Sequence, residues 1–338
     1  MGKENDIMCG YLAKPDVFAD YWNGICFAGE QVLDASKLNP VSETYFRVGK
    51  GRKKTDKRQR DLIMKASNHT AYAILAIENQ SEMDYRMPVR RMEYDAMEYQ
   101  RQIKEISAKN RKEAERRRQL NLPKLWKHAG EFLSGFRKED RLLPVATLVF
   151  CHGNEEYDGC LDLHDMIEWN QENELLKPWV PNYSLNVIAL KDVDEKKFRT
   201  GLRELIGVMK HRMDDSALQH YCEENDLRFR QLDDDTVEAI SVMINYPELN
   251  RYRDERGEMK MCQALEDLKR KGFEEGISQG ISQGISQGLN QGLNQGIKAM
   301  IESLGEFGIP KEQVSMKLME KFDIGQTEAA AYLERYWK

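Results

Sequence analysis

The sequence predicts an α/β (α+β) fold, a mixed sheet flanked by helices, followed by a helical C-terminal extension. Three observations carry this. An apolar helical stripe precedes three strand-like segments. A long helix separates those strands from two further apolar ones, which suits a sheet with helices on its faces. Beyond Glu195 the periodicity is helical only, and it ends in a strict four-residue glycine repeat. At 338 residues and 41% hydrophobic content the chain has the material for a sizeable core, which excludes a wholly disordered protein. No run of 18 apolar residues is present, so no membrane-spanning helix and no membrane partner are expected. The first residues lead into a short mixed stretch without the character of a signal peptide. Six scattered cysteines then read as reduced thiols, and the expected location is cytoplasmic.

Each element follows from its own pattern. Between Asp16 and Gly29, the residues Val17, Phe18, Tyr21, Trp22 and Ile25 form a helical apolar stripe, and Pro15 suits a first turn. Pro40 marks a loop, and Thr44 to Val48 is a short strand. Lys50 to Arg60 is a basic, glycine-containing turn. Asp61 to Ala66 and Ala71 to Ile77 are the next two strands, joined by a polar turn from Ser67 to Thr70. The second is almost continuously apolar, as a strand covered on both faces should be. Residues 84–118 read as a helix whose end is highly charged. Leu142 to Phe150 and Leu185 to Leu190 are further strands, and 195–266 is helical. The expected organisation is a core over 1–192, a helical region over 193–266, the glycine repeat over 267–300 as helix or tether, and short helices over 301–338.

Two carboxylates attract attention by position. Asp61 opens one strand and Glu78 closes the next, so a hairpin pairing would place both at one end of the sheet. Closely spaced carboxylates repel, and a divalent cation relieves that repulsion. A hard cation such as Mg²⁺ (or Mn²⁺) takes one or two protein carboxylates and keeps several waters. Gln80 lies two residues after Glu78, hence on the same face of a strand, where it would orient a water or a phosphate. The simpler reading of each acid is a solvated strand end.

At this point the chain resembles a known family. Asp61, the apolar strand ending in Glu78, Asn79, Gln80 and Ser81, and the stretch from Met87 through Arg90 and Tyr94 to Asp95 carry the likeness. It extends to Phe18 through Gly24, Phe132 through Phe136, Leu143 through Phe150 and the glycine-punctuated tail. The family is the recombination-promoting nuclease, or transposase-like, group of the PD-(D/E)XK nuclease superfamily. The resemblance implies a restriction-endonuclease-like core and Mg²⁺-dependent DNA cleavage. It implies Asp61 and Glu78 as catalytic, metal-holding acids, with Gln80 where the superfamily carries a lysine. A lysine supplies a fixed charge there, whereas glutamine supplies only a dipole.

The net charge of −6 argues against a nucleic-acid partner only if charge is evenly spread. It is not, since Lys50 to Arg60 holds seven basic residues against one acid. Lys53, Lys54, Lys57, Arg58 and Arg60 are therefore the candidate DNA contacts, gripping phosphates mainly by charge. Arg90 and Tyr94, four apart on a helix, share a face and would support Glu78 or reach a phosphate; packing within the helix is the alternative. The run from Arg111 to Arg118 is interrupted by Glu113 and Glu115 and reads as an exposed helix surface. Cys151, His152, Cys160 and His164 match no common zinc spacing.

From Gly272 to Gly296 a glycine recurs every four residues, each followed by Phe, Ile or Leu. A helical glycine costs about 1 kcal/mol relative to alanine. Period four nonetheless aligns the glycines in one row beside a row of apolar residues, a surface on which another helix packs closely. The expected partner is a second copy of this chain; a flexible tether is the alternative. The functional expectation is a metal-dependent DNA endonuclease linked to recombination or transposition. A catalytically inactive DNA-binding or assembly protein of the same fold and an oligomeric scaffold are the competing classes.

Overall fold

The structure is a computed structural model that describes residues 3–41, 44–48, 55–59, 61–68, 70–153 and 155–337. They fall into two units, Met1–Ala264 and Leu265–Lys338.

The first unit opens with two helices, α1 (Lys3–Leu12) and α2 (Pro15–Cys26). In α1 the residues Met8, Tyr11 and Leu12 are buried, a one-face spacing too short to stand out in the sequence. From Lys3 onward the start of the chain is thus helical. In α2 the stripe residues Val17, Phe18, Tyr21 and Trp22 are buried while Ile25 is half-buried, and Tyr21 lies 5.3 Å from Phe150 between ring centroids.

Strands β1 (Leu38–Pro40), β4 (Leu62–Asn68), β5 (Thr70–Gln80), β6 (Val145–Cys151) and β7 (Val187–Ala189) form one sheet, in the order β1-β4-β5-β6-β7. The pairings β1–β4 and β4–β5 are antiparallel, whereas β5–β6 and β6–β7 are parallel. Parallel pairing requires a long crossover. Helix α3 (Met87–Gln119) and the short α4 (Ala129–Ser134) lie in the β5-to-β6 connection. Pro40 stands at the end of edge strand β1 rather than in a loop, a place where its missing N–H breaks no interior ladder. The other two strands, β2 (Thr44–Val48) and β3 (Thr55–Gln59), pair with each other as a separate antiparallel ribbon. The expected basic turn therefore includes a strand. Thr55 to Gln59 is wholly polar, so no apolar alternation announced it.

Alternation across the strands gives the sheet two distinct faces. On one face α3 docks: Thr147 Oγ1 donates to Asp95 Oδ1 at 2.8 Å, and Met87 packs on Val149. On the other face Phe150 meets α2, and the Asn79 amide meets α1.

The helices α5 (Leu202–His211), α6 (Asp215–Glu224), α7 (Asp226–Phe229) and α8 (Asp234–Met243) belong to this first unit. Tyr11 and Thr236 hydroxyls bond at 2.8 Å, and the Asp20 carboxylate accepts the backbone N–H groups of Arg199 and Thr200. Gly24 lets α2 approach Phe198, since a Cβ there would meet that ring at 2.2 Å.

Helix α9 (Met261–Glu306) is 46 residues long and supplies most of its length to the second unit, with α10 (Lys311–Phe322) and α11 (Gln326–Tyr336). Ile297, Ile301, Val314, Leu318, Ala329 and Leu333 make a small three-helix core there. The glycine repeat is helical throughout, within α9. Among the described residues no helix is long and apolar enough to cross a membrane.

Candidate active site at one end of the sheet

The β4–β5 register pairs Leu62 with Ile77, so the next positions outward are Asp61 and Glu78. The two acids predicted from the sequence are thereby brought to the same end of the sheet. Asp61 Oδ2 accepts the backbone N–H of Asn79 at 2.8 Å, which ties the bend before β4 to the end of β5. Burial pushes the Asp61 carboxyl above the usual carboxylate range, and the nearby charge of Asp6 adds to the shift. The Asn79 N–H and the Arg90 guanidinium act in the opposite direction without reversing it.

Glu78 is fully buried. Its Oε2 lies 3.7 Å from Arg90 Nη2, an ion pair longer than a hydrogen bond. Arg90 is the hub of this face. Its Nη1 is 2.9 Å from Asp84 Oδ2, and its guanidinium stands 5.8 Å from the centre of the Tyr94 ring. The predicted supporting pair is thus gathered beside Glu78, with Arg90 between two carboxylates and an aromatic face. Hydrogen bonds from Arg86 and Arg90 hold the Asp84 carboxyl down to about 2, against its partial burial.

Gln80 shares the Glu78 face and lines a pocket of about 310 Å³ with Ser81, Glu82, Cys151 and Tyr157. This pocket opens at the carboxyl ends of the parallel strands β5 and β6, where open α/β sheets commonly bind ligands. Gly153 also lines it, and a Cβ there would meet the Ser81 carbonyl oxygen at 2.3 Å.

Several residues near the acids escaped the sequence reading. Asp6 and Cys9 come from α1, and the Asn79 amide donates to Cys9 Sγ at 3.3 Å. The Cys9 thiol is pushed up to about 12 by burial first, then by Asp61, with Glu78 and Asp6 adding and Asn79 opposing. It is a neutral thiol that senses the carboxylates. The signal for these residues was the Met8, Tyr11, Leu12 spacing, which makes α1 a helix and places Asp6 and Cys9 within one turn of each other. Asp84 precedes α3 in a loop and carried no pattern of its own.

Of the candidate DNA contacts, Lys53, Lys54 and Arg60 lie outside the described residues. Lys57 and Arg58 belong to β3, opposite Phe46 and Tyr45 in register. Cys151 packs on the Met87 and Val149 cluster, whereas His152, just past the end of β6, lies 5.5 Å from the Phe150 ring on the other side, and His164 Nε2 bonds the Val180 carbonyl at 2.7 Å.

Among the described residues no group of three or more His, Cys, Asp or Glu side chains is gathered to hold a metal. Two carboxylates at facing positions just beyond the β4–β5 ladder match the smaller demand of Mg²⁺, which takes one or two and keeps waters. Their chemistry fits as well. They are hard oxygen donors of the kind such a cation takes. No family model, no curated protein and no solved structure matches the chain.

Proposed function

We propose that this chain is a metal-dependent DNA endonuclease with a restriction-endonuclease-like core, of the recombination-promoting nuclease group within the PD-(D/E)XK superfamily, acting in recombination or transposition. The observation that carries the reading is the placement of Asp61 and Glu78 at facing positions just beyond the last β4–β5 pair, two residues before Gln80, which lines a pocket. The antiparallel hairpin followed by a helical crossover to a parallel strand supports it.

In this reading Asp61 and Glu78 hold Mg²⁺ or Mn²⁺. The bound cation supplies Lewis-acid stabilisation of phosphoryl charge and a more acidic water. Gln80 orients the attacking water or the scissile phosphate with its carboxamide. Arg90 balances the buried charge of Glu78 and, with Tyr94, keeps that side chain in place. The basic segment containing Lys53, Lys54, Lys57, Arg58 and Arg60 steers the DNA backbone. Helix α9 brings copies of the chain together through its glycine row, beside which Phe273, Ile277, Ile281, Ile285 and Leu289 are exposed.

Gln80 favours a second reading, a DNA-binding or assembly protein of this fold that does not cleave, because no fixed positive charge stands at that position. Nicking of supercoiled plasmid with Mg²⁺ or Mn²⁺ separates the two. Wild type nicks, and Asp61→Asn and Glu78→Gln each lower the rate by at least about a hundredfold, the scale of removing a group that stabilises the transition state. Unchanged rates in both variants sink the site. Salt-sensitive DNA binding with no nicking by wild type selects the second reading.

A further inference from the structure

A groove of about 950 Å³ lies at the far end of α3, bounded by the chain that leads into α4. Five of its lining side chains are basic (Arg111, Arg117, Arg118, Lys124 and Lys127), and Glu115 is the one acid among them. In the sequence this run read as an ordinary solvated helix surface. The structure adds an aromatic wall: Trp126 meets Phe132 edge-on at 6.5 Å between ring centroids, and Phe132 remains 63% exposed. A large aromatic left in water beside several cations calls for an anionic ligand with flat apolar faces.

The wall is firmly held. Buried Glu131 accepts the backbone N–H groups of Lys127 at 2.7 Å and Lys138 at 3.2 Å. Asn110 of α3 donates to the Gly135 carbonyl at 3.0 Å, and Arg111 to the Leu133 carbonyl at 3.3 Å. Gly135 turns the chain at φ 72°, in the left-handed region. Arg117 pairs with half-buried Glu113 at 2.9 Å and donates to the Pro123 carbonyl at 3.4 Å, whereas the pairs Arg118–Glu115 at 2.8 Å and Lys127–Glu139 at 2.5 Å are exposed. Exposed pairs of this kind contribute little and yield readily to a phosphate.

Position along the helix identifies the size of the ligand. At about 1.5 Å per residue, Arg117 lies about 40 Å along α3 from Arg90, so the groove is separate from the candidate active site. Only a polymer serves both. A duplex hides its base faces, whereas unpaired bases stack on exposed aromatic side chains. We propose that this groove binds a single-stranded stretch of DNA, its bases stacked on Phe132 and Trp126 and its phosphates on Arg117, Arg118 and Lys124. The proposal extends the nuclease reading, since it supplies a hold on unpaired strand remote from the acids.

The test is fluorescence anisotropy of a labelled oligothymidylate titrated with the full chain, without divalent cation, at several salt concentrations. Wild type binds, and Phe132→Ala, at an exposed position, weakens binding about tenfold. Trp126→Phe, which keeps a stacking face, stays near wild type. Arg117→Gln with Arg118→Gln makes the dependence of log affinity on log salt shallower by about 1.4, or about 0.7 for each lost phosphate contact. Absent binding by wild type overturns the proposal, as does unchanged binding by all the variants. Tighter binding of a Glu- and Leu-rich peptide that displaces the oligonucleotide also overturns it, in favour of a protein partner. Plasmid nicking by the same preparation keeps the two ideas apart. Binding that depends on the groove without nicking upholds the groove and sinks the nuclease; nicking without oligonucleotide binding does the reverse.

Discussion

Asp61 is held where an ionised carboxylate is poorly solvated, and among the described residues its hydrogen-bond donor is the backbone N–H of Asn79. Because its folded carboxyl keeps a proton to higher pH than the unfolded one, the native state binds more protons through that interval. Its contribution therefore favours the fold at acid pH and is lost as pH rises through the folded value. Asp61→Asn removes the penalty while its amide oxygen still accepts from Asn79. The variant should melt above wild type at neutral pH, with the gap closing toward acid pH, as thermal unfolding across pH will show. Added Mg²⁺ should raise the wild-type melting temperature and leave the variant unmoved, since a ligand stabilises the state that binds it. Cys9 gives an independent readout. Its thiol is raised partly by Asp61, so alkylation in the folded chain should be slow and should quicken in Asp61→Asn.

Two glycines in different helices should respond oppositely to the same substitution. Gly24→Ala in α2 drives a methyl group into the Phe198 ring and should destabilise the first unit by about 1–3 kcal/mol. Gly280→Ala in α9 meets nothing within 4 Å and should strengthen its helix by up to about 1 kcal/mol. Denaturant unfolding and helical circular dichroism measure the two effects. The contrast also shows where sequence suffices at this scale. The apolar runs of β5 and β6 and the stripe of α2 announce their elements because burial selects side chains at a fixed period. Asp61 and Glu78 were legible as the polar ends of such runs. Thr55 to Gln59 and Pro40 obey no period, and only pairing with a neighbour makes strands of them. Asp6, Cys9 and Asp84 reach the site through tertiary packing, and the aromatic wall opposite Arg117 arises from a chain segment that carries no helical stripe.

The whole molecule divides its work between two separately cored units. The first carries the candidate chemistry. The second ends in a three-helix core and contains a long exposed apolar row that a folded monomer leaves in water. Full-length chain should therefore show concentration-dependent mass in sedimentation, and removal of residues 272–296 should abolish it. Replacing Gly276, Gly280 and Gly284 together by alanine should raise helicity yet weaken the association, because the added methyl groups hold two helices apart. A charge of −6 spread over the whole chain hides both the basic segment before Asp61 and the groove on α3, so it says little about partners.

The glycine repeat has one more consequence, for inheritance rather than packing. One unit of four residues turns a helix through about 400°, that is, one full revolution and about 40° beyond. Gain or loss of a unit by a slipped copy of the gene moves the following residues about 6 Å along the axis and rotates them by only about a ninth of a turn. The reading frame, the helix and very nearly the facing of Ile297 and Ile301 all survive. A segment built this way can lengthen or shorten between generations in small, tolerated steps, so α9 is the part of this molecule whose size is most open to natural variation.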